Sequence, residues 1–169
     1  MNSQFLWEKL QDSEMYSNFV EENPSTYLCS GFFMVDLAEE SPENKYHFDF
    51  YVPDSEKTFS FELESDIKLV ELERTNEKIL EKVEMKFPFD FDEIKEIILD
   101  KMQEKKITNK IQKMLFSLQN SEGKDVLFGT VFISAMGLIK VNIDLENKKI
   151  TDFEKMSLMD MMKIVGKKK

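Results

Sequence analysis

Apolar and polar residues alternate in two similar stretches of the chain. From Ile139 to Leu145 every second residue is apolar, and after the polar run 146–149 a second such segment begins at Ile150. This period of two is typical of strands with one buried face, joined here by a tight turn. The stretch YHFDFYVPDSEKTFSFEL, residues 46–63, has the same form around a turn at Pro53–Glu56. The segments FYVPDSEKTFSFELE and NIDLENKKITDFEKM align with each other, which predicts an internal repeat.

Other segments of the chain predict further strands. They are TYLCSGFFMVDL, DIKLVELER, NKIQKMLFSLQ and DVLFGTVFISA. The first of these has apolar residues at both odd and even positions, as a strand covered on both faces would. The charged stretch TNEKILEKVEMKF, residues 75–87, fits either a returning hairpin strand or a short helix, and the pattern does not decide the structure of residues 74–86.

Helical periodicity is found at the start and in the middle of the chain. Residues 3–20 place apolar side chains on one stripe, which predicts a single helix. A second helix is predicted from Asp90, whose carboxylate can cap the N–H of Glu93 while Glu93 reaches back. Ile94, Ile98 and Met102 then share one face. The sequence thus predicts an α+β fold of two tandem helix-plus-antiparallel-sheet units, residues 1–88 and 89–169, which could form one continuous sheet with helices on one face.

Composition and charge narrow the classes of function. The 169 residues carry a net charge of -10, which argues against a nucleic-acid surface because phosphate binding needs clustered cations. A single cysteine excludes an intrachain disulfide. The N-terminal residues lack the features of a signal peptide, and no run of about 18 apolar residues predicts a membrane span. We therefore expect a cytoplasmic protein, unless a leader has been removed.

The closing segment LIKVNIDLENKKITDFEK resembles the last hairpin of PepSY-type domains, which are found in peptidase propeptides. Asp144 matches the acidic position of that hairpin and Ile150 the position where the second strand begins, whereas a lysine stands where the family has glycine. The resemblance covers about 60 residues of the second half. It implies a helix packed on an antiparallel sheet, in a domain that inhibits, scaffolds or binds other proteins without catalytic residues.

Two residues are candidates for chemistry. His47, the single histidine, shares a predicted strand face with Asp49 and Tyr51, which could form a proton-transfer pair or hold a metal. Cys29 could act as a nucleophile if His47 lay beside it, but a buried, unreactive thiol is the interpretation we favour. No second histidine or cysteine completes a zinc site by spacing, and the five scattered glycines form no phosphate loop. The sequence therefore predicts no enzyme, metal or cofactor.

The C-terminal segment SLMDMMKIVGKKK predicts a short methionine-rich helix that begins with a capping box at Ser157 and Asp160. Its apolar residues could dock on a partner, or lie on an anionic membrane surface next to the terminal lysines. They could also cover an open sheet, which is the interpretation we favour, with Met159, Met162 or their neighbours buried. The candidate docking residues are Met156, Met159, Met162 and Ile164.

These observations predict a non-enzymatic module that binds or regulates a protein partner. The alternative is a small-ligand-binding or enzymatic domain with an apolar cavity between helix and sheet. Phenylalanine and methionine would line that cavity, with His47 or Tyr51 at its rim.

Overall fold

A computed structural model describes residues 1–73 and 78–167 of the chain. The helices are α1 (Ser3–Gln11), α2 (Glu14–Glu22), α3 (Phe91–Glu104) and α4 (Leu158–Lys167). The strands are β1 (Tyr27–Asp36), β2 (Lys45–Val52), β3 (Lys57–Glu62), β4 (Lys68–Leu72), β5 (Ile111–Ser121), β6 (Lys124–Ile133), β7 (Gly137–Asp144) and β8 (Lys149–Ser157). The α+β class predicted from the sequence is confirmed.

All eight strands form one antiparallel sheet in the order β4-β3-β2-β1-β5-β6-β7-β8. Strands that follow each other along the chain are neighbours, except at the centre, where β1 pairs with β5. The register there runs from Gly31 opposite Leu118 to Asp36 opposite Lys113. The first four strands therefore form one half of the sheet and the last four the other, and the halves meet where β1 pairs with β5.

The core lies on one face of the sheet. Phe33 of β1 is fully buried, and its ring contacts those of Phe48, Phe89 and Phe91 at centroid distances of 5.3 to 5.8 Å. Helices α1, α2 and α3 contribute their apolar stripes to this same cluster, with the buried residues Leu6, Leu10, Phe19, Ile94, Ile98 and Met102. Because residues alternate between faces, the neighbours of the core residues in each strand point away from these helices.

Two local expectations about helices need correction. The first predicted helix is divided into α1 and α2, because the Ser13 hydroxyl accepts the N–H of Tyr16 and starts a new helix there. The apolar stripe continues across the break, so periodicity does not reveal it. Asp90 does cap α3, but its carboxylate accepts the N–H of Asp92, at 2.8 Å, instead of that of Glu93.

The alignment of the two hairpins also needs correction. The turn at 53–56 joins β2 to β3, whereas the turn at 145–148 joins β7 to β8. If β1 corresponds to β5, the first turn follows the second strand of its half and the second turn follows the third. Short polar turns have similar compositions wherever they occur, so the matching letters did not establish equivalent positions.

The undecided stretch 75–87 lies partly outside the described residues, and its described part, from residue 78, is neither helix nor strand. It runs beside the start of β1, where Val83 donates its N–H to the carbonyl of Leu28 at 2.8 Å. The carboxylate of Asp125 accepts the N–H groups of Glu84 and Met85 at 3.4 and 3.1 Å. These hydrogen bonds fix the segment against the sheet without a regular element.

Candidate functional site

The face of the sheet opposite the core, here called the outer face, carries a registered row of side chains. The pairing of neighbouring strands places one residue of each strand in this row, in the order Lys68, Glu62, His47, Phe32, Ser117, Phe128, Asn142 and Asp152. Side chains of directly paired residues in antiparallel strands lie on the same side of the sheet. The row is therefore charged at both ends and aromatic in the middle.

The middle of the outer face forms an apolar patch, which we define as Phe32, Met34, Leu115, Phe128 and Phe132. All five side chains are half-buried. Four of their sequence neighbours on the core face, Phe33, Met114, Phe116 and Leu127, are at most 1% exposed. The patch thus keeps solvent-accessible apolar surface beside a core that keeps almost none.

Polar and charged residues border the apolar patch on two sides, whereas beside Phe132 the face continues with the apolar Leu138. Beyond Phe128 and Thr130 the outer face continues with Asn142 and with Lys140, which is paired with Glu154 of β8. On the other side, Met34 pairs with Lys45 and Phe32 with His47. An apolar centre with a polar rim is the arrangement found in protein interfaces.

His47 makes a contact that the sequence did not single out. Its Nε2 lies 2.8 Å from Oε1 of Glu64, and its ring packs against that of Phe32 at a centroid distance of 5.7 Å. Burial acts to raise the pKa of Glu64, but the hydrogen bond with His47, the charge of His47 and hydrogen bonds with the backbone together outweigh it, and the pKa lies below its ordinary value. The partner of His47 is thus Glu64, not the predicted Asp49, although Asp49 does share the outer face.

Cys29 lies at a bulge in β1, where the register with β2 shifts between Leu28 and Ser30. Its Sγ is 3.4 Å from the carbonyl oxygen of Asp49 and the residue is buried. Burial, together with the charge of Asp49, raises the pKa of the thiol to about 12. The thiol is therefore protonated at neutral pH, and the interpretation of Cys29 as a buried thiol is confirmed.

Asp49 is a half-buried carboxylic acid next to Cys29. The hydroxyl of Ser30 donates to its carboxylate at 3.0 Å. Burial raises the pKa of Asp49, and the nearby serines and His47 oppose that rise without cancelling it. Ser60, its cross-strand neighbour, is 2% exposed.

We expect Asp49→Asn to raise the melting temperature near neutral pH. Because the pKa is raised in the folded protein, the native state holds this proton more tightly than the unfolded state, and stability falls as pH rises above 3.8. Asparagine has no ionisable group, so the gain should vanish when both proteins are measured below pH 3.8, where the aspartate is also uncharged. Thermal melts of both proteins across this pH range check it.

Asp152→Asn, on exposed β8, is the matched control and should leave the melting temperature unchanged at both pH values. If Asp49→Asn melts lower than the unsubstituted protein at neutral pH, the carboxylate stabilises the fold despite its burial.

The C-terminal helix begins as predicted. Asp160 N–H donates to the Ser157 hydroxyl at 3.0 Å, and Ser157 N–H donates to the Asp160 carboxylate at 3.3 Å, which is a capping box. Met159 and Met162 are 62% and 73% exposed, so the expected burial does not hold for these two. Met156 is half-buried on β8, and the side chain of Ile164 lies outside the described residues.

A cavity of about 540 Å³ lies at the end of the central strands, next to the apolar patch. Its lining includes Phe132, Ile111 and Leu37 together with the charged Asp36 and Lys113. The alternative hypothesis from the sequence predicted an apolar cavity at a different place, between the helices and the sheet. There Phe48, Phe116 and Met114 are at most 1% exposed and pack into the core cluster.

Comparisons with known proteins address the fold. No family model matches the sequence, and no curated protein matches it. The chain is similar to the crystal structure of a "putative lipoprotein" from Clostridium difficile 630, with 14% identity, a TM-score of 0.52, and coverage of 85% of this chain and 91% of that one. At this identity the likeness shows a shared fold. Among the described residues no helix is long and apolar enough to cross a bilayer.

Proposed function

We propose that this protein is a non-enzymatic binding or regulatory module that docks a protein partner on its outer face. The observation that carries the proposal is the apolar patch, five large side chains that stay partly accessible at the centre of an eight-stranded sheet. Phe32 and Phe128 lie on either side of Ser117, so a small residue separates two aromatic rings in the row. A partner side chain that enters there would bury apolar area on both sides.

The physical reason for docking is the incomplete burial of aromatic residues. Large exposed apolar patches on soluble proteins mark interaction sites, and the residues that dominate binding energy lie at the centre of such patches, within a rim that excludes water. Phe32 and Phe128 have this central position, and the rim contains His47, Lys45, Asn142 and Lys140. The rim residues would set orientation while the rings supply most of the affinity.

The proposal also holds that the chain consists of two similar units in tandem, residues 1–88 and 89–169. Each would contribute two helices and four consecutive strands. The strand order supports this arrangement, because it runs outward from β1 to β4 in one direction and from β5 to β8 in the other. The PepSY resemblance implies the same class of function, a protein-binding module without catalytic residues. The cytoplasmic location stays a prediction.

A second docking element within this proposal is the C-terminal helix. Met159 and Met162 present flexible, polarizable side chains to solvent, which suits a partner of irregular shape. Met156 and Ile164 complete the candidate set of the sequence prediction. Whether the partner contacts the patch, the helix or both is decided by variants of each.

The experiment compares three double variants in lysate of the organism from which the sequence comes. Leu115→Ser with Phe128→Ser removes the centre of the patch, and Met159→Ser with Met162→Ser changes the helix. Lys68→Ser with Asp152→Ser, at the two exposed ends of the row, is the control on the same face. Each immobilised protein retains partners, which are quantified by mass spectrometry, and the affinity of the purified partner is then measured by calorimetry.

We expect the patch variant to lose about tenfold or more in affinity, which is about 1.4 kcal/mol, while the control stays within about twofold. Circular dichroism should show that all variants are folded. Loss by the helix variant alone would move the docking site to α4. If every retained protein binds the patch variant as tightly as the unsubstituted chain, the proposal is wrong.

A further inference from the structure

The ends of β2 and β3 bring one imidazole and two carboxylates together. His47 is paired with Glu62 across the two strands, and the ladder continues one residue further because Leu63 donates its N–H to the carbonyl of Tyr46 at 2.9 Å. Residues two apart on an extended chain point to the same side, so Glu64 joins Glu62 and His47 on the outer face. One ligand atom of each of the three residues lies within 4.8 Å of those of the other two.

The charge of this cluster is unbalanced. With a neutral imidazole, Glu62 and Glu64 carry two negative charges side by side. Among the ion pairs of residues 1–73 and 78–167, Glu64 pairs with His47, and neither carboxylate forms an ion pair with a lysine or arginine. Lys68 lies opposite Glu62 on β4, but the two make no ion pair. By contrast, Glu71 on the neighbouring strand does have a lysine, with Oε1 3.2 Å from Nζ of Lys57. A divalent cation would neutralise the two charges of the cluster at once.

We propose that His47, Glu62 and Glu64 bind a divalent transition-metal ion of the zinc class. The imidazole nitrogen selects against Mg²⁺ and Ca²⁺, which prefer all-oxygen sites, and one nitrogen with two carboxylate oxygens is a donor set that Zn²⁺ accepts. Water would complete the coordination, since the three protein ligands occupy one side of the ion.

The geometry requires a small adjustment. Three ligand atoms at tetrahedral angles and bonds of about 2.1 Å are about 3.4 Å apart, and His47 Nε2 and Glu64 Oε1 are already closer than that, at 2.8 Å. The ion would take the place of the proton that these two atoms share. Glu64 follows the end of β3 and is exposed, so its side chain can rotate to make room.

The ring of His47 is also held in position by β1, the strand on the side away from Glu62. Its ring packs on Phe32, whose own position is set by pairing with Ser117. A ligand that does not need to be ordered on binding loses less entropy, which favours the metal complex. The site borders the apolar patch, but the proposal stands without any protein partner.

The test uses the full chain without a polyhistidine tag, titrated with Zn²⁺ near neutral pH and followed by NMR of the histidine ring. The chain has one histidine, so every imidazole signal reports on His47. We expect these signals to shift or broaden and to saturate at one equivalent of Zn²⁺, with no change on addition of Mg²⁺. Calorimetry gives the affinity of the same protein.

Glu62→Gln and Glu64→Gln keep side-chain size and should each weaken Zn²⁺ binding by about tenfold or more. Glu71→Gln is the matched control, and it should bind as the unsubstituted protein does. The proposal is overturned if Zn²⁺ leaves the imidazole signals unchanged at several equivalents, or if both glutamine variants bind as tightly as the control. If a variant fails to fold, the NMR titration of the unsubstituted chain still tests whether His47 binds Zn²⁺.

Discussion

Replacing Phe33 by alanine is expected to lower the free energy of unfolding by about 3–5 kcal/mol. Phe33 is fully buried on β1, the strand that joins the two sides of the sheet. Its ring contacts Phe48 of β2 as well as Phe89 and Phe91 at the start of α3. Alanine would leave a cavity bounded by three rings that are themselves held by other contacts, so the site cannot collapse to fill it.

The adjacent residue, Phe32, provides the matched control. It is half-buried on the outer face, so Phe32→Ala leaves no enclosed cavity and should cost markedly less. Urea unfolding of both variants measures the two values. Equal losses would mean that the outer face is packed as tightly as the core, and the docking proposal would lose its basis. With a partner in hand, binding should show the reverse order, with Phe32→Ala the more damaging change.

The strands could be predicted because their periodicity is local. In β2 every second residue is apolar, and burial follows that alternation from Lys45 to Phe50. In β7 Ile139, Val141 and Ile143 alternate in the same way, although Leu138 on the opposite face is buried too. Helix α3 was equally visible, since Ile94, Ile98 and Met102 recur at helical spacing after a capping residue. Local patterns of this kind need no knowledge of the neighbours in space.

Strand order and the contacts of the outer face depend on neighbours that the sequence does not specify. The pairing of β1 with β5 joins segments about 80 residues apart, and no local pattern marks it. The His47–Glu64 contact was missed because it joins two strands, and the alternation within a strand does not specify which residues of the neighbouring strand lie beside it. A signal was present in the spacing Glu62-x-Glu64, which predicts two carboxylates on one face of an extended chain.

Replacing Gly129 by alanine is expected to cost about 1–3 kcal/mol, although alanine is the smallest possible addition. Gly129 lies in the middle of β6 between its paired residues Phe116 and Val141, on the core face. A Cβ there would be 2.8 Å from Cγ1 of Val141 and 2.9 Å from Cε1 of Phe116. Both neighbours are 1% exposed, and the Phe116 ring also stacks on Phe91 of α3, so neither has free space to move into.

A double-mutant cycle with Val141→Ala tests this cause. Val141→Ala alone removes two buried methyl groups and should cost about 2 kcal/mol. In the double variant the new methyl group at position 129 occupies part of the space that Val141 vacates, so the total loss should be smaller than the sum by about 0.5 kcal/mol or more. Urea unfolding of the two single variants and the double variant gives the three values.

If the losses add within error, the contact with Val141 is not what makes alanine costly at position 129. The remaining clash would then be with Phe116, whose ring transmits it to Phe91. In that case Gly129→Ala should displace the start of α3, which the NMR signals of Phe91 would report, whereas a clash relieved at Val141 would leave those signals in place. The cycle therefore distinguishes strain confined to the β6–β7 pair from strain passed on to the helix that covers it.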